Sequence, residues 1–527
     1  MCRGSRRYGG ERLASRAQEG VMSAASAGAQ GMRPCMTCGF VQPVLLATAA
    51  DPRLDLVFLT AHSAMTPELA LAHLWRLARG DPGTLARATV TGQDTTLPST
   101  FRVGTLAAAT IAAAGLAAAE CHRLRTGVAQ SVDVSVRDAL VAFRSERYLR
   151  VDDGPPPELR HPVTGFFETG DGRWIQLHAN FPHHLNGILD VLGCGAQRDA
   201  VAAAIRARDG AALDTALADA GLCAALIRTP DEWASLEQAR AIASLPLFEI
   251  ERIGDAPVEP IGRGEAGQPL TGVRVLDLTR IIAGPVAGRT LASHGAQTLL
   301  VNGPHLPNIA PLVIDNGRGK RSAWIDLRDA AGIDTLHALA HDADVFLQSY
   351  RPGALAARGF APHALAMRRP GIVYVSISAY GHAGPWAQRR GFDSLVQSAS
   401  GIAWQEQQAA HADGPRHLPC QALDHATGYL AAFGAMIALA RRAREGGSWH
   451  VRLSLAQTGR WLQSFGIVPD GLQAPDFTRT DVRDRIERIA SPFGTLDVVR
   501  PAERLSATPP SLARPPVPLG TDDARWL

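Results

Sequence analysis

From residue 272 onward, short runs of apolar residues alternate with longer stretches in which apolar positions recur every three or four residues. The runs are GVRVLDL (272–278), QTLLV (297–301), DVFLQ (344–348) and IVYVSIS (372–378). Each has the length of a strand buried on both faces, and the stretches between them, one through Arg289 and Leu291 and others near 330–341 and 354–368, have the period of helices. Strand and helix in alternation predict an α/β fold with a doubly wound, Rossmann-like parallel sheet and a ligand crevice at the strand C-termini. Upstream, TGFFETGDGRWIQLHANFPHH (164–184) alternates apolar and polar residues about Gly170-Asp171-Gly172, the pattern of a hairpin. It predicts a smaller α+β domain over about 160–250, followed by a Gly- and Pro-rich linker at 253–270.

The chain also repeats itself. Residues 97–135 and 418–454 both open on Leu-Pro, run through a long Ala- and Gly-rich helical stretch, turn at Gly127 or Gly446, and enter a short alternating strand. Small residues such as Ala431, Ala432, Gly434 and Ala435 permit close approach of a neighbouring element, and a glycine after a basic last turn suits a helix C-terminus. The predicted organisation is a disordered or over-extended start (1–60), a truncated module (61–252), the linker, and a complete module (271–527). Met22, Met32 and Met65 are each candidate true starts.

Composition narrows the classes of function. With 46% hydrophobic and 20% charged residues, 527 residues can bury cores for two or three domains. Lys and Arg total 53 against 50 Asp and Glu, so a formal charge of +3 supplies no broad field for nucleic acid or an anionic membrane, and any anionic ligand must be held locally. No stretch is read as reaching the ~18–20 apolar residues of a membrane span. Seven scattered cysteines fit reduced thiols, hence a cytoplasmic location, and the isolated Cys35-x-x-Cys38 lacks a second pair at zinc spacing, so no metal is expected.

A dinucleotide site needs G-x-G-x-x-G after the first strand and an acid ending the second. Here the first turn is TRIIAGPVAG (279–288) and the second strand ends at Asn302, so NAD is not expected; the Walker sequence is absent too. The ordered segments GVRVLDLTRIIAGPVAGRTLASHGAQTLLV, RGKRSAWIDLR (318–328), ADVFLQSYRPGALAARGF (343–360), VYVSISAYGHAGPWAQRRGFDSLVQSASG (373–401) and ALDHATGY (422–429) resemble successive landmarks of the class III CoA-transferase (CaiB/BaiF) family. That family includes formyl-CoA transferase, carnitine CoA-transferase and α-methylacyl-CoA racemase. RTGVAQSVDVSVRDAL (125–140) and the 164–233 region are similar to the later part of the same module, which leaves the first copy without its opening strand.

The resemblance implies an acyl-CoA:carboxylate CoA-transferase with coenzyme A and a small carboxylic acid as substrates, and either a homodimer or an intramolecular pseudo-dimer. It places the covalent nucleophile at Asp424, where a helix N-terminus would favour the ionised carboxylate, with oxyanion donors from main-chain N–H groups near Gly428 or in the small domain. It carries CoA contacts onto Ile281, Ile282, Ala283 and Gly284 in the first turn, onto Arg318, Lys320 and Arg321, and onto Tyr350, Arg351, Pro352 and Gly353. Asn302, Ser349 and Ala357 depart from the family pattern. In the racemase branch a histidine stands where this chain has Phe392, and phenylalanine cannot transfer a proton, so transfer is favoured; His425 and His382 are the remaining acid/base candidates. The first copy carries no carboxylate at the corresponding RVGTLAA (102–108). A racemase-like enzyme and a non-catalytic acyl-CoA-binding scaffold are the alternative readings.

Overall fold

The computed structural model describes residues 65–92, 97–265 and 267–527. The predicted disordered start, Cys35, Cys38, Met22 and Met32 lie outside them. Six strands, Arg274–Leu278, Gln297–Asn302, Lys320–Trp324, Val345–Gln348, Val373–Ser378 and Ser448–Ser454, form a parallel sheet. The first lies between the second and the fourth, so chain order reverses beside it. This is the switch point at which doubly wound sheets open a crevice. The apolar runs predicted four of these strands; KRSAW (320–324) was hidden by its charges. The helix expected over 354–368 is shorter, a 3₁₀ turn at Ala356–Arg358 and an α-helix at Pro362–Arg368, because Pro362 can open a helix but cannot continue one.

A seventh strand comes from the first half of the chain. Phe248–Gly254 runs antiparallel along Ser448–Ser454, so the 253–270 segment joins two parts of one sheet-containing unit. At the opposite side of the sheet, the C-terminal segment lies along Lys320–Trp324: the Asp522 N–H donates to the Ser322 carbonyl (2.7 Å) and the Ser322 N–H to the Asp522 carboxylate (2.9 Å). The small α+β part has its own three-stranded antiparallel sheet, Gly165–Glu168, Trp174–Leu177 and Ala224–Leu226, and its own apolar cluster around Phe167, Ile175, Ile188 and Leu217.

The repeat is realised in three dimensions. Val103–Thr126 and Ala422–Glu445 are both 24-residue helices, and they start alike, from Arg102 (φ −77°, ψ 59°) and Gln421 (φ −79°, ψ 64°). Each is followed by a strand, then by a helix capped through a serine hydroxyl, Ser135 or Ser454. In both helices the thirteenth residue is a glycine pressed against a valine of the following strand: a Cβ on Gly115 would lie 2.9 Å from Val132 Cγ1, and one on Gly434 2.6 Å from Val451 Cγ1. The two helices also pack against each other through their alanine-rich faces. Against the sequence-based expectation, both are long and apolar enough to cross a bilayer, but both are buried inside the protein.

Residues 268–527 expressed alone would expose the alanine-rich face of the 422–445 helix, losing of order 25 cal/mol per Å² of apolar burial. The fragment is expected to aggregate on size exclusion, and co-expression with residues 65–257 to restore a soluble complex.

Candidate functional site

Asp424 is the third residue of its helix and lies 8% exposed at one end of a cavity of about 450 Å³. Ile281 and Ile282 of the first turn, Phe392 and Asp393 line the same cavity. So do Glu146, Arg147, Arg160, Thr164, His178 and Asn180 from the first half of the chain. Ile281 holds a backbone φ of +77°, a conformation that costs a β-branched residue energy, and the Asn316 amide donates to its carbonyl at 3.3 Å. Gly284 must be a glycine for a local reason, since a Cβ there would fall 2.3 Å from the Thr279 side chain. Ala283 opens the helix Ala283–Ser293, and its carbonyl packs on the Asp424 helix: a Cβ on Gly428 would sit 2.5 Å from it. Gly428 is thus a point of close approach between helices, within the helical turn, and does not offer a free N–H.

The electrostatics at Asp424 reverse the sequence-based expectation. The positive end of the helix is taken by another carboxylate: Asp393 accepts the Asp424 N–H at 2.9 Å and also a side-chain donor from Gln397. Asp424 itself is buried beside like charges. Burial first, then Asp393 and Glu146, raise its pKa well above the usual carboxyl range. Burial also raises Asp393, to about 6, with the N–H of Asp424 and the Gln397 amide pulling the other way. Close carboxyls in one dry site titrate as a unit, so protons are held here at a pH where free aspartate is fully ionised.

His425 turns inward. Its Nε2 lies 3.2 Å from Glu146 Oε2, and its ring stacks on Phe143 with centroids 5.3 Å apart. Glu146 and His425 thereby tie the first half of the chain to the start of the Asp424 helix. His382 lies 3.5 Å from Glu249 and lines a different cavity. Phe392 is covered by an imidazole: His178 stacks on it at 3.7 Å, and burial lowers the His178 pKa to about 3, leaving a neutral ring on the cavity wall.

Tyr350, Arg351, Pro352 and Gly353 follow the fourth strand across the switch point and line a second cavity of about 160 Å³ with Ser376, His450 and Arg452. The three predicted basic contacts do not form a phosphate cluster. Lys320, 1% exposed, donates to Asp277 (2.8 Å) and to the Pro285 carbonyl (2.8 Å). Arg318 is buried against Asp315 and the Val499 carbonyl (2.7 Å), and Arg321 is taken up by Asp522 and the Arg525 carbonyl (2.5 Å). Each buried cation is consumed by an acceptor distant in sequence, because an unpaired one would be strongly destabilising. Among the described residues no group of three or more His, Cys, Asp or Glu is arranged to hold a metal ion. Sequence reasoning missed Asp393, Glu146, Arg147 and Arg160; only Asp393 had a signal, its place after Phe392.

The CoA-transferase family III model matches residues 83–257 and 270–500, and the chain belongs to this family. The acyl-CoA transferase of Gibberella moniliformis (strain M3125 / FGSC 7600) is 34% identical over 322 residues, covering 56% of this chain and 56% of that protein. The succinyl-CoA:glutarate CoA-transferase of Homo sapiens is 35% identical over 188 residues, 32% of this chain and 41% of that protein. A CaiB/BaiF family protein from Brucella suis, solved by crystallography, is 29% identical with a TM-score of 0.33, covering 36% of this chain and 55% of that chain. The chain spans about half the length of the curated relatives it matches.

The raised carboxyls have two consequences. An attacking Asp424 must be ionised, so kcat/KM should fall as the pH drops through a range above the ordinary aspartate value of about 4. Asp393→Asn removes one neighbouring charge and should move that acid limb down by about one pH unit, burial and Glu146 remaining. For stability the sign is opposite to that of a salt-bridged carboxylate: native Asp393 keeps its proton to about pH 6 while the unfolded chain releases it near 3.8, so this group's contribution declines as the pH rises between them. Urea titrations of the parent and Asp393→Asn across pH 4–7 check this, with a flatter profile expected for the variant.

Proposed function

We propose that the protein moves coenzyme A between carboxylic acids, with Asp424 as the covalent nucleophile. The supporting observation is the placement of Asp424 in a cavity bounded by the turn after the first strand, in a member of this family. The ionised Asp424 oxygen attacks the thioester carbon of an acyl-CoA; the C–S bond breaks and CoA leaves as thiolate, giving an aspartyl acyl anhydride. The thiolate then attacks the aspartyl carbonyl, releasing the donor acid as carboxylate and forming an aspartyl-CoA thioester. An acceptor carboxylate repeats the sequence in reverse, and Asp424 is regenerated. No net proton is consumed. Covalent catalysis divides one exchange between poor partners into easier steps. The raised basicity of Asp424 makes its ionised form a stronger nucleophile and a smaller fraction of the whole, a balance set by the pH. The CoA body would cross the switch point, past Ile281, Ile282 and the 283–284 helix start and along Tyr350–Gly353. The names of the relatives, an acyl-CoA transferase and a succinyl-CoA:glutarate CoA-transferase, fit this chemistry.

Phe392 favours transfer over epimerisation, since the stacked His178 is neutral and buried. With a 2-methylacyl-CoA in D₂O and no acceptor acid, no deuterium should enter the α-carbon; rapid wash-in would favour the racemase reading.

Hydroxylamine added during turnover should leave a hydroxamate on the peptide containing Asp424, read by mass spectrometry. Asp424→Asn should lower exchange by about a thousandfold or more while acyl-CoA still binds, because the amide keeps the shape and loses the nucleophile. Near-normal exchange by that variant, with deamidation excluded, would refute the assignment.

A further inference from the structure

Attack on a thioester moves an electron pair onto the carbonyl oxygen, and that developing charge needs a donor already in place. The cavity wall carries four side chains that could supply one without bringing a charge: Thr164, Asn180, Ser394 and Gln421. Three of them are engaged. The Thr164 hydroxyl donates to Asn180 Oδ1 (2.7 Å), the Asn180 amide donates to the Leu159 carbonyl (3.2 Å), and the Ser394 hydroxyl accepts from the Gln176 amide (2.9 Å). The Gln421 carboxamide has no hydrogen-bond partner among the described residues. Its main chain is nevertheless fixed, since the Gln421 carbonyl accepts the His425 N–H at 3.0 Å. The side chain is half-buried and does not cap the helix it precedes. Gln421 stands three residues before Asp424, and both face the same cavity. In the first copy the matching residue, Arg102, directs its guanidinium to the Ile467 carbonyl (3.1 Å), so only the second copy leaves this position open to a ligand.

We infer that the Gln421 side-chain amide is the oxyanion donor of the transfer, hydrogen-bonding the carbonyl oxygen of the acyl-CoA thioester as Asp424 attacks its carbon. This rests on the CoA-transferase reading and adds a catalytic residue to it. A bond forms from the Asp424 oxygen to the thioester carbon, and the carbonyl electron pair moves to oxygen beneath the Gln421 N–H. Collapse then breaks the C–S bond and expels CoA as thiolate; the amide keeps its protons throughout. A neutral donor suits this end of the cavity. A guanidinium here would pair with Asp393 or Glu146, as Arg147 does with Glu146 at 3.7 Å, and would lower the basicity of Asp424. A carboxamide stabilises the charge that develops without neutralising the carboxylate that attacks. Gly428, the neighbourhood from which a main-chain donor was expected, is closed within its helix, which leaves this role to Gln421.

The test uses Gln421→Met, which keeps the length of the side chain and removes the donor, with succinyl-CoA and glutarate as the probe pair. The kcat should fall by about 100-fold while the KM for the acyl-CoA stays within about twofold, the split expected of a donor used mainly in the transition state. Because the carboxamide bonds to no described residue, the variant is expected to fold, which circular dichroism checks. A second arm needs no turnover. Succinyl-CoA carrying carbon-13 at the thioester carbonyl is added to Asp424→Asn, and the carbonyl stretch is read by isotope-edited infrared difference spectroscopy. A hydrogen bond from Gln421 should lower that frequency relative to free solution, and the shift should be lost in the Asp424→Asn, Gln421→Met double variant. Near-parent kcat in Gln421→Met would overturn the assignment and leave the CoA-transferase reading standing. A carbonyl band at its solution position in Asp424→Asn, or a shift that persists in the double variant, would overturn it as well. If the parent transfers no CoA but the band shifts in a Gln421-dependent way, the transferase reading fails and Gln421 remains the residue that polarises a bound thioester.

Discussion

Two helices of small residues, packed on one another along their alanine-rich faces, hold the two halves of this chain in one body. Their close approach depends on the absence of side-chain volume: alanines where they meet, and a glycine at mid-helix where each lies on a valine of its own following strand. Because interiors are packed near crystal density, even one methylene at such positions would be felt. Asp424, the proposed nucleophile, sits at the start of one of these helices. The other helix begins with the same backbone turn but carries Thr105 at the position matching Asp424, so the duplicated architecture is kept while the carboxylate is present in one copy.

This division of labour runs through the cavity. The second half contributes Asp424, the proposed nucleophile, the carboxylate that caps its helix, and the turn after the first strand. The first half contributes Glu146, which meets the imidazole of His425 next to Asp424, and the polar wall of Arg147, Arg160, His178 and Asn180. A helix terminus was expected to stabilise Asp424 as an anion; instead that positive end is occupied by Asp393, and Asp424 is left among like charges. The site therefore holds a basic carboxyl in a buried setting, at the cost of making its ionised fraction sensitive to pH.

The alternation of apolar runs revealed the sheet because strands buried on both faces must be apolar throughout, and the repeat revealed the paired helices because their ends carry matching Pro, Gly and Ser. What stayed hidden was long-range. KRSAW reads as a surface cluster, yet Lys320 and Arg321 are strand residues whose charges are met by Asp277 and Asp522. Glu146 is 278 positions before Asp424 and Arg160 is 264 before it, and no local period can announce such a meeting. The strand Phe248–Gly254 was masked for a related reason: its charges, Glu249 and Glu251, are answered by Arg452 on the neighbouring strand.

That seventh strand and the C-terminal segment bear on the behaviour of the molecule in a crowded solution. A sheet of six parallel strands ends in two rows of unpaired main-chain groups, and such rows template the addition of foreign strands. Here one row is closed by an antiparallel strand carrying alternating charges, and the other by a stretch of the same chain bonded through Asp522 to Ser322. The parallel strands are thus flanked by their own sequence at both sides, and the outer edge on one side passes to a strand whose alternating charges disfavour pairing with a foreign strand.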